Sequence, residues 1–212
     1  MKEQFSMKYR HIVFDVDGTL IDTREAVLNS LKDTIEYVKR SPVRTEELTF
    51  ALGITGRDTL ALLDVPDIPF ALNLWLENMK KYKDSIRVFN LIPHLLKRLK
   101  SSGCQLGIVT SKTRAEFAAD FSVFGIDGYF EYIVCADETQ KHKPHPEPLL
   151  KYMALAGCTG EETLYIGDSP YDIECAQKAG THFALAGWGA AEGLNAAVIF
   201  GTPLDAAEAL LD

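Results

Sequence analysis

Residues 9–19 read Tyr9-Arg10-His11-Ile12-Val13-Phe14-Asp15-Val16-Asp17-Gly18-Thr19. A short apolar run ends abruptly at two carboxylates and a glycine, the pattern of a buried strand that delivers an acidic loop at its carboxyl end. Gly18 can take a positive φ and let backbone amides approach a ligand. Taken singly, Asp-x-Asp after a strand is more often a turn with solvated acids. Its meaning depends on what the rest of the chain places beside it.

Downstream of this loop the pattern turns helical. Ala26, Val27, Leu31, Ile35 and Val38 recur at three- and four-residue spacing from Thr23 onward, and Ser41-Pro42 stops the run. Thr45 suits the cap of a short helix with Glu46 and Glu47 in its first turn, Thr55 or Gly56 starts another, and residues 67–85 supply a longer one. This all-helical stretch, residues 22–87, reads as an inserted domain interrupting a core made of residues 1–21 and 88–212. After it the chain alternates: helix 91–100, strand 105–109, helix 114–124, strand 132–135, helix 146–156, strand 163–166, helix 170–179, strand 182–185, a weaker strand 197–200 and a last helix 204–211. Such alternation predicts an α/β fold, a doubly wound parallel sheet with a small helical cap domain inserted. In open sheets of this kind ligands sit outside the carboxyl ends of the strands.

Composition narrows the classes. The chain has 212 residues, 47% of them hydrophobic and 25% charged, with a net charge of -8, which is a globular composition. The negative balance disfavours nucleic acid, and Lys80, Lys81 and Lys83 read as a solvated helix face. No apolar run reaches the ~20 residues of a membrane span, and residues 1–10 are too polar for a signal peptide. Cys104, Cys135, Cys158 and Cys175 form no CxxC pair, so reduced thiols in a cytoplasm are expected. A monomer or weak homodimer is expected, and Met7 competes with Met1 as the native start.

The polar residues concentrate at strand ends. Thr110 and Ser111 follow the second core strand, Lys143 follows another, and Gly167-Asp168-Ser169 with Asp172 closes a fourth. Two acids in one loop invite a cation, and carboxylates, hydroxyls and an ammonium on one edge fill the roles that phosphoryl transfer needs: a nucleophile, charge neutralisation and a proton donor. His142 and His145 sit three apart, but the intervening prolines forbid the helix that would align them as metal ligands.

With Asp15-Val16-Asp17-Gly18-Thr19, Thr110 after Gly107-Ile108-Val109, Lys143-Pro144 and Gly167-Asp168 with Asp172 in order, the chain resembles the haloacid dehalogenase superfamily over residues 8–187. The resemblance implies a phosphatase in which Asp15 is the nucleophile, forming an aspartyl-phosphate, and Asp17 is the acid and base. The carboxylates of Asp15 and Asp168 and the backbone carbonyl of Asp17 would hold Mg2+, with Asp172 in support. Lys143 would offset charge, Lys141 being its weaker substitute. Thr110 would hold a phosphate oxygen, with the amides of Val16, Asp17 and Ser111 adding donors beside Gly18.

The helical insertion is similar to the cap of phosphoglycolate-phosphatase-like and β-phosphoglucomutase-like members. Within it, residues 52–58 carry Gly53, Gly56, Arg57 and Asp58 and form the candidate specificity loop. Arg57 is a candidate grip for a second anion, favouring small phosphorylated metabolites such as phosphoglycolate or pyrophosphate. A β-phosphoglucomutase-like phosphoryl transferase and a phospho-ligand regulator without turnover are the alternatives. A phosphonate hydrolase is disfavoured because no lysine lies between Arg40 and Met79. Residues 87–93 lack the Pro-Gly often seen where similar chains return from cap to core.

Overall fold

The computed structural model describes residues 9–211, so the choice between Met1 and Met7, and most of the polar amino terminus, lie outside the described residues. The first strand, β1 (His11–Phe14), is buried along its whole length. Its side chains alternate between two cores: Ile12 and Phe14 join one apolar cluster, Val13 the other, the period-two geometry of a strand covered on both faces.

A two-residue strand, β2 (Ile21–Asp22), pairs antiparallel with β3 (Arg87–Val88), Ile21 opposite Val88. Between them lie α1 (Arg24–Lys39), a 3-10 turn (Thr45–Ala51), α2 (Gly56–Leu62) and α3 (Ile68–Met79). These elements surround an apolar cluster of their own that includes Leu28, Leu31, Leu48, Leu60 and Trp75. Truncating a fully buried leucine there, such as Leu31, would cost ~2–5 kcal/mol. The polar groups of the α1–α3 seam are satisfied locally: Trp75 Nε1 donates to Ser30 Oγ at 2.9 Å and Asn78 donates to Thr34 Oγ1 at 3.0 Å.

The remaining strands are β4 (Gln105–Val109), β5 (Tyr132–Val134), β6 (Thr163–Gly167), β7 (His182–Ala186) and β8 (Ile199–Phe200), and the six-stranded sheet runs β5-β4-β1-β6-β7-β8. Every pairing in it is parallel. Helices α4 (Ile92–Ser101) and α8 (Pro203–Leu211) pack against the cluster that contains Ile12 and Phe14. Helices α6 (Glu147–Ala156) and α7 (Pro170–Ala179) pack on the opposite face, and α5 (Arg114–Asp120) follows β4. Phe14 pairs with Ile108 on one side and Ile166 on the other, so β1, β4 and β6 finish side by side at one sheet edge.

Several boundaries differ from the expectation for physical reasons. The helix expected over 67–85 ends at Met79, because the following Lys80-Lys81-Tyr82-Lys83 run offers no apolar stripe and the Tyr82 hydroxyl is held by Asp33 at 3.1 Å. The helix expected to 124 ends at Asp120 and tightens into a 3-10 turn at Ser122–Phe124 before Gly125 reverses the chain at φ 68°. Arg44, one residue earlier than expected, precedes the turn over 45–51, and its amide donates to Glu47 at 3.4 Å.

Candidate active site

The carboxyl ends of β1, β4 and β6 bring Asp15, Thr110 and Asp168 onto adjacent loops. Immediately after β1 the chain makes a tight turn in which the Val16 carbonyl accepts from the amides of Thr19, Leu20 and Ile21 at 3.2, 2.8 and 3.1 Å. Gly18 sits at φ 75°, and a Cβ there would lie 2.1 Å from Asp168 Oδ2, so both backbone conformation and space demand glycine. Trp188 Nε1 donates to the Thr19 carbonyl at 2.9 Å and pins this turn from the far side; its position past β7 gave no sign of that in the sequence.

Asp15 is 2% exposed. One oxygen, Oδ1, lies 2.8 Å from Lys143 Nζ, while Oδ2 is buried and has no hydrogen-bond partner among the described residues. Buried polar atoms are rarely left unmatched, and an orphan carboxylate oxygen faces whatever the site is built to receive. Burial pushes the Asp15 carboxyl up to about 7, Lys143 opposing and Asp172 and Asp17 adding to the rise. Desolvation, then Asp172 and Asp15, hold Asp168 well above the usual carboxylate range.

Lys143 is buried between Asp15 and Asp172, 2.7 Å from Asp172 Oδ1 and 3.2 Å from the Tyr165 hydroxyl, whereas Lys141 is exposed. Burial works against the Lys143 charge, but Asp15 and Asp172 more than offset it, so the ammonium titrates above the ordinary lysine range. Asp172 is fully engaged: Oδ1 meets Lys143 and the Tyr165 hydroxyl at 2.8 Å, and Oδ2 accepts from Ser169 N at 3.1 Å and Ser169 Oγ at 2.5 Å. The same contact makes the capping box that starts α7.

Asp17 points elsewhere. Its Oδ1 accepts from Thr23 Oγ1 at 2.7 Å and lies 3.1 Å from Lys112 Nζ, which also reaches Asp120 Oδ2 at 2.8 Å. Thr23 opens α1 without capping it, because its hydroxyl is spent on Asp17. Lys112 is 8% exposed and was not singled out from the sequence; a lysine two residues past Thr110, at a helix start, reads as solvated.

Thr110 is buried, and its Oγ1 accepts from Lys112 N at 3.2 Å, leaving its hydroxyl proton to donate. Ser111 Oγ donates to the Gly53 carbonyl at 2.8 Å, so Ser111 offers the site its amide. Among the described residues, the amides of Val16, Asp17 and Ser111 donate to no other group of the chain. Three free N–H groups on the two loops beside Asp15 suit an anion.

Asp15, Asp168 and Asp172 offer carboxylate oxygens that all lie within 4.8 Å of one another. Three carboxylates at that distance, with Asp15 Oδ2 unpartnered, form an all-oxygen donor set of the kind hard divalent cations take. The residues present therefore fit a metal ion. The Asp172 oxygens are already committed, the Asp17 carboxylate is turned to Thr23 and Lys112, and Asp168 Oδ1 accepts from Thr19 Oγ1 at 3.3 Å, so among the described residues the available donors are Asp15 Oδ2, Asp168 Oδ2 and the Asp17 backbone carbonyl.

Helical elements between β2 and β3 close over this edge. Besides the Ser111 contact, the Tyr171 hydroxyl donates to the Phe50 carbonyl at 3.0 Å, and His142 Nδ1 lies 3.3 Å from Asp58 Oδ2. Gly53, at φ 97°, comes so near the core that a Cβ would be 2.7 Å from Ser169 Oγ. The partly open cavity beneath these elements, about 470 Å³, is lined by Asp15 and Asp17 and by residues of α1, α3, α5 and the 51–56 segment. Arg57 is exposed and lines a second cleft with Asp58, His142, Tyr171 and Lys143, which shares Ile54 with the cavity over Asp15 and Asp17.

A parallel sheet with these four loop groups at one edge defines a hydrolase class, and the chain belongs to the haloacid dehalogenase-like hydrolase family, whose pattern matches residues 12–186. "Pyrophosphatase PpaX" of Bacillus mycoides (strain KBAB4) is 30% identical over 183 residues, 86% of this chain and 85% of that protein. Among solved structures, a "putative phosphoglycolate phosphatase" from Lactobacillus plantarum superimposes with a TM-score of 0.86 at 27% identity, covering 95% of this chain and 99% of that one. A hydrolase of the same superfamily from Geobacter sulfurreducens superimposes with a TM-score of 0.71 at 25% identity, covering 97% and 98%. Among the described residues no helix is long and apolar enough to cross a membrane.

Proposed function

We propose that this enzyme is a Mg2+-dependent phosphatase that hydrolyses a small phosphomonoester through an aspartyl-phosphate on Asp15. The observation that carries the reading is the orphan Oδ2 of a buried Asp15 beside the unengaged amides of Val16, Asp17 and Ser111. Nucleophile and anion donors are thus both present and unspent.

In the first half-reaction an Asp15 carboxylate oxygen attacks phosphorus, the bond to the ester oxygen breaks, and Asp17 gives that oxygen its proton. In the second, Asp17 takes a proton from a water that attacks the acyl phosphate, which frees inorganic phosphate and restores the Asp15 carboxylate. Both contacts of the Asp17 carboxylate fall on Oδ1, which leaves Oδ2 to carry the proton. Lys143 and the Thr110 hydroxyl neutralise and orient the phosphoryl oxygens. Asp172 holds Lys143 in place through the 2.7 Å contact. The magnesium ion, bound by Asp15, Asp168 and the Asp17 carbonyl, would supply charge neutralisation between two anionic reactants.

Residues 22–87 act as the cap and residues 1–21 and 88–212 as the core, a division supported by the separate apolar cluster of the helical segment. Among the described residues the four cysteines form no disulfide, in keeping with a cytoplasmic enzyme, and a monomer or weak homodimer completes this reading. The names of its relatives make pyrophosphate and phosphoglycolate the reference compounds for assay. Phosphate release that needs Mg2+ and vanishes in Asp15→Asn supports the reading; release that persists in Asp15→Asn contradicts it.

A further inference from the structure

From the walls of the cavity over Asp15 we infer that the substrate is a phosphomonoester with an apolar organic body and no second anionic group, an inference that rests on the phosphatase reading above. Its 470 Å³ lies within the range of small-molecule sites, ~300–1,000 Å³, and is more than a lone phosphoryl group fills. Its apolar lining includes Val27, Ile54, Leu72, Trp75, Leu76 and Met79. Trp75, 9% exposed, packs with Val27, Leu72 and Met79 in the cap's own cluster, so the apolar surface offered to a substrate is chiefly Leu76, 42% exposed, together with the edges of those side chains.

Charge points the same way. The titratable lining consists of five carboxylates, Asp15, Asp17, Glu77, Glu116 and Asp120, against three ammonium groups, Lys80, Lys83 and Lys112. Lys112 is taken by Asp17 and Asp120, and Lys80 by Glu77 at 2.6 Å. Among the described residues, Lys83 is the one ammonium of the three without an ion pair, too little to desolvate a second phosphate or carboxylate. Arg57, the residue suited to that task, is not part of this lining and stands in the neighbouring cleft with Lys143. A leaving group that carries hydrocarbon meets a matching wall, whereas one that carries charge meets carboxylates.

The test compares kcat/KM for ethyl, butyl and hexyl phosphate, whose leaving alcohols are nearly equal in basicity, with pyrophosphate and phosphoglycolate, using the intact protein with Mg2+. Each fully buried methylene is worth about fourfold, so hexyl phosphate should exceed ethyl phosphate at least tenfold and exceed both compounds whose leaving groups carry a second anion. Leu76→Gln should lower the hexyl-to-ethyl ratio several-fold, while Leu155→Gln, an exposed position on α6 (48%), should leave the ratio alone. Phosphate release with a flat chain-length profile, or with pyrophosphate or phosphoglycolate preferred, overturns this inference and spares the phosphatase reading. No release from any compound overturns both.

Discussion

Lys112 Nζ stands 3.1 Å from Asp17 Oδ1 and shares its charge with Asp120, so the proposed proton carrier of the reaction is fixed by a buried lysine from the neighbouring strand end. Burial disfavours the ammonium, yet Asp17 and Asp120 more than offset it and keep Lys112 charged above the ordinary lysine range. Lys112→Met would leave two carboxylates facing each other without compensation, at a cost of ~3–5 kcal/mol. Denaturant unfolding should show that loss, and kcat should fall about tenfold or more with KM less affected. Adding Asp120→Asn should recover stability but not kcat; recovery of both would make Lys112 a purely structural residue.

Asp17→Asn should separate the two half-reactions. Loss of a general acid and base costs ~10²–10⁴ in rate, but an aryl phosphate whose leaving group needs no proton should still phosphorylate Asp15. Stopped-flow traces should then show a burst of phenolate followed by slow turnover. Equal loss in both phases would remove the acid and base role from Asp17.

Ion binding should depend on pH in a defined direction. In the ion-free protein burial raises Asp15 to about 7, so between about pH 4 and about pH 7 the folded chain binds more protons than the unfolded one, and stability falls as pH rises through that window. A divalent cation favours the carboxylates. The rise in Tm caused by Mg2+ should therefore be larger at about pH 7.5 than at about pH 5, and Asp168→Asn should diminish it at both. A rise in Tm that is independent of pH would contradict the assignment of the ion to these carboxylates.

Cap closure rests on few polar contacts, so it should be sensitive to each. Tyr171→Phe removes the bond to the Phe50 carbonyl, worth ~0.5–1.5 kcal/mol, and should raise KM about two- to tenfold with little change in kcat. Unchanged KM would mean that this contact does not help to hold the cap down.

Much of the core was legible because its strands are buried on both faces. Short, mostly apolar runs such as His11–Phe14 and Thr163–Gly167 announce themselves, and the residues that end them are the ones the site uses. What escaped depends on tertiary closure. The β2–β3 pair is two residues long on each side and forms because the chain leaves and re-enters the core at one place, a constraint that no local pattern expresses. Lys112 and Trp188 look like solvent-facing or idle residues in sequence, yet each completes a contact with a loop far away along the chain. Arg57 stands exposed in the first turn of α2 and lines the cleft that also holds Lys143, and its part in substrate choice depends on cap geometry that residue type within a glycine-bearing loop does not express.

Covalent catalysis by Asp15 is tested most directly by borohydride reduction during turnover, followed by mass spectrometry of the peptide that contains residues 11–19. An acyl phosphate is reduced to an alcohol, so position 15 should convert to homoserine only when substrate and Mg2+ are both present. Turnover with Asp15 left unreduced, or reduction at Asp17 or Asp168 instead, would contradict the assignment of the nucleophile.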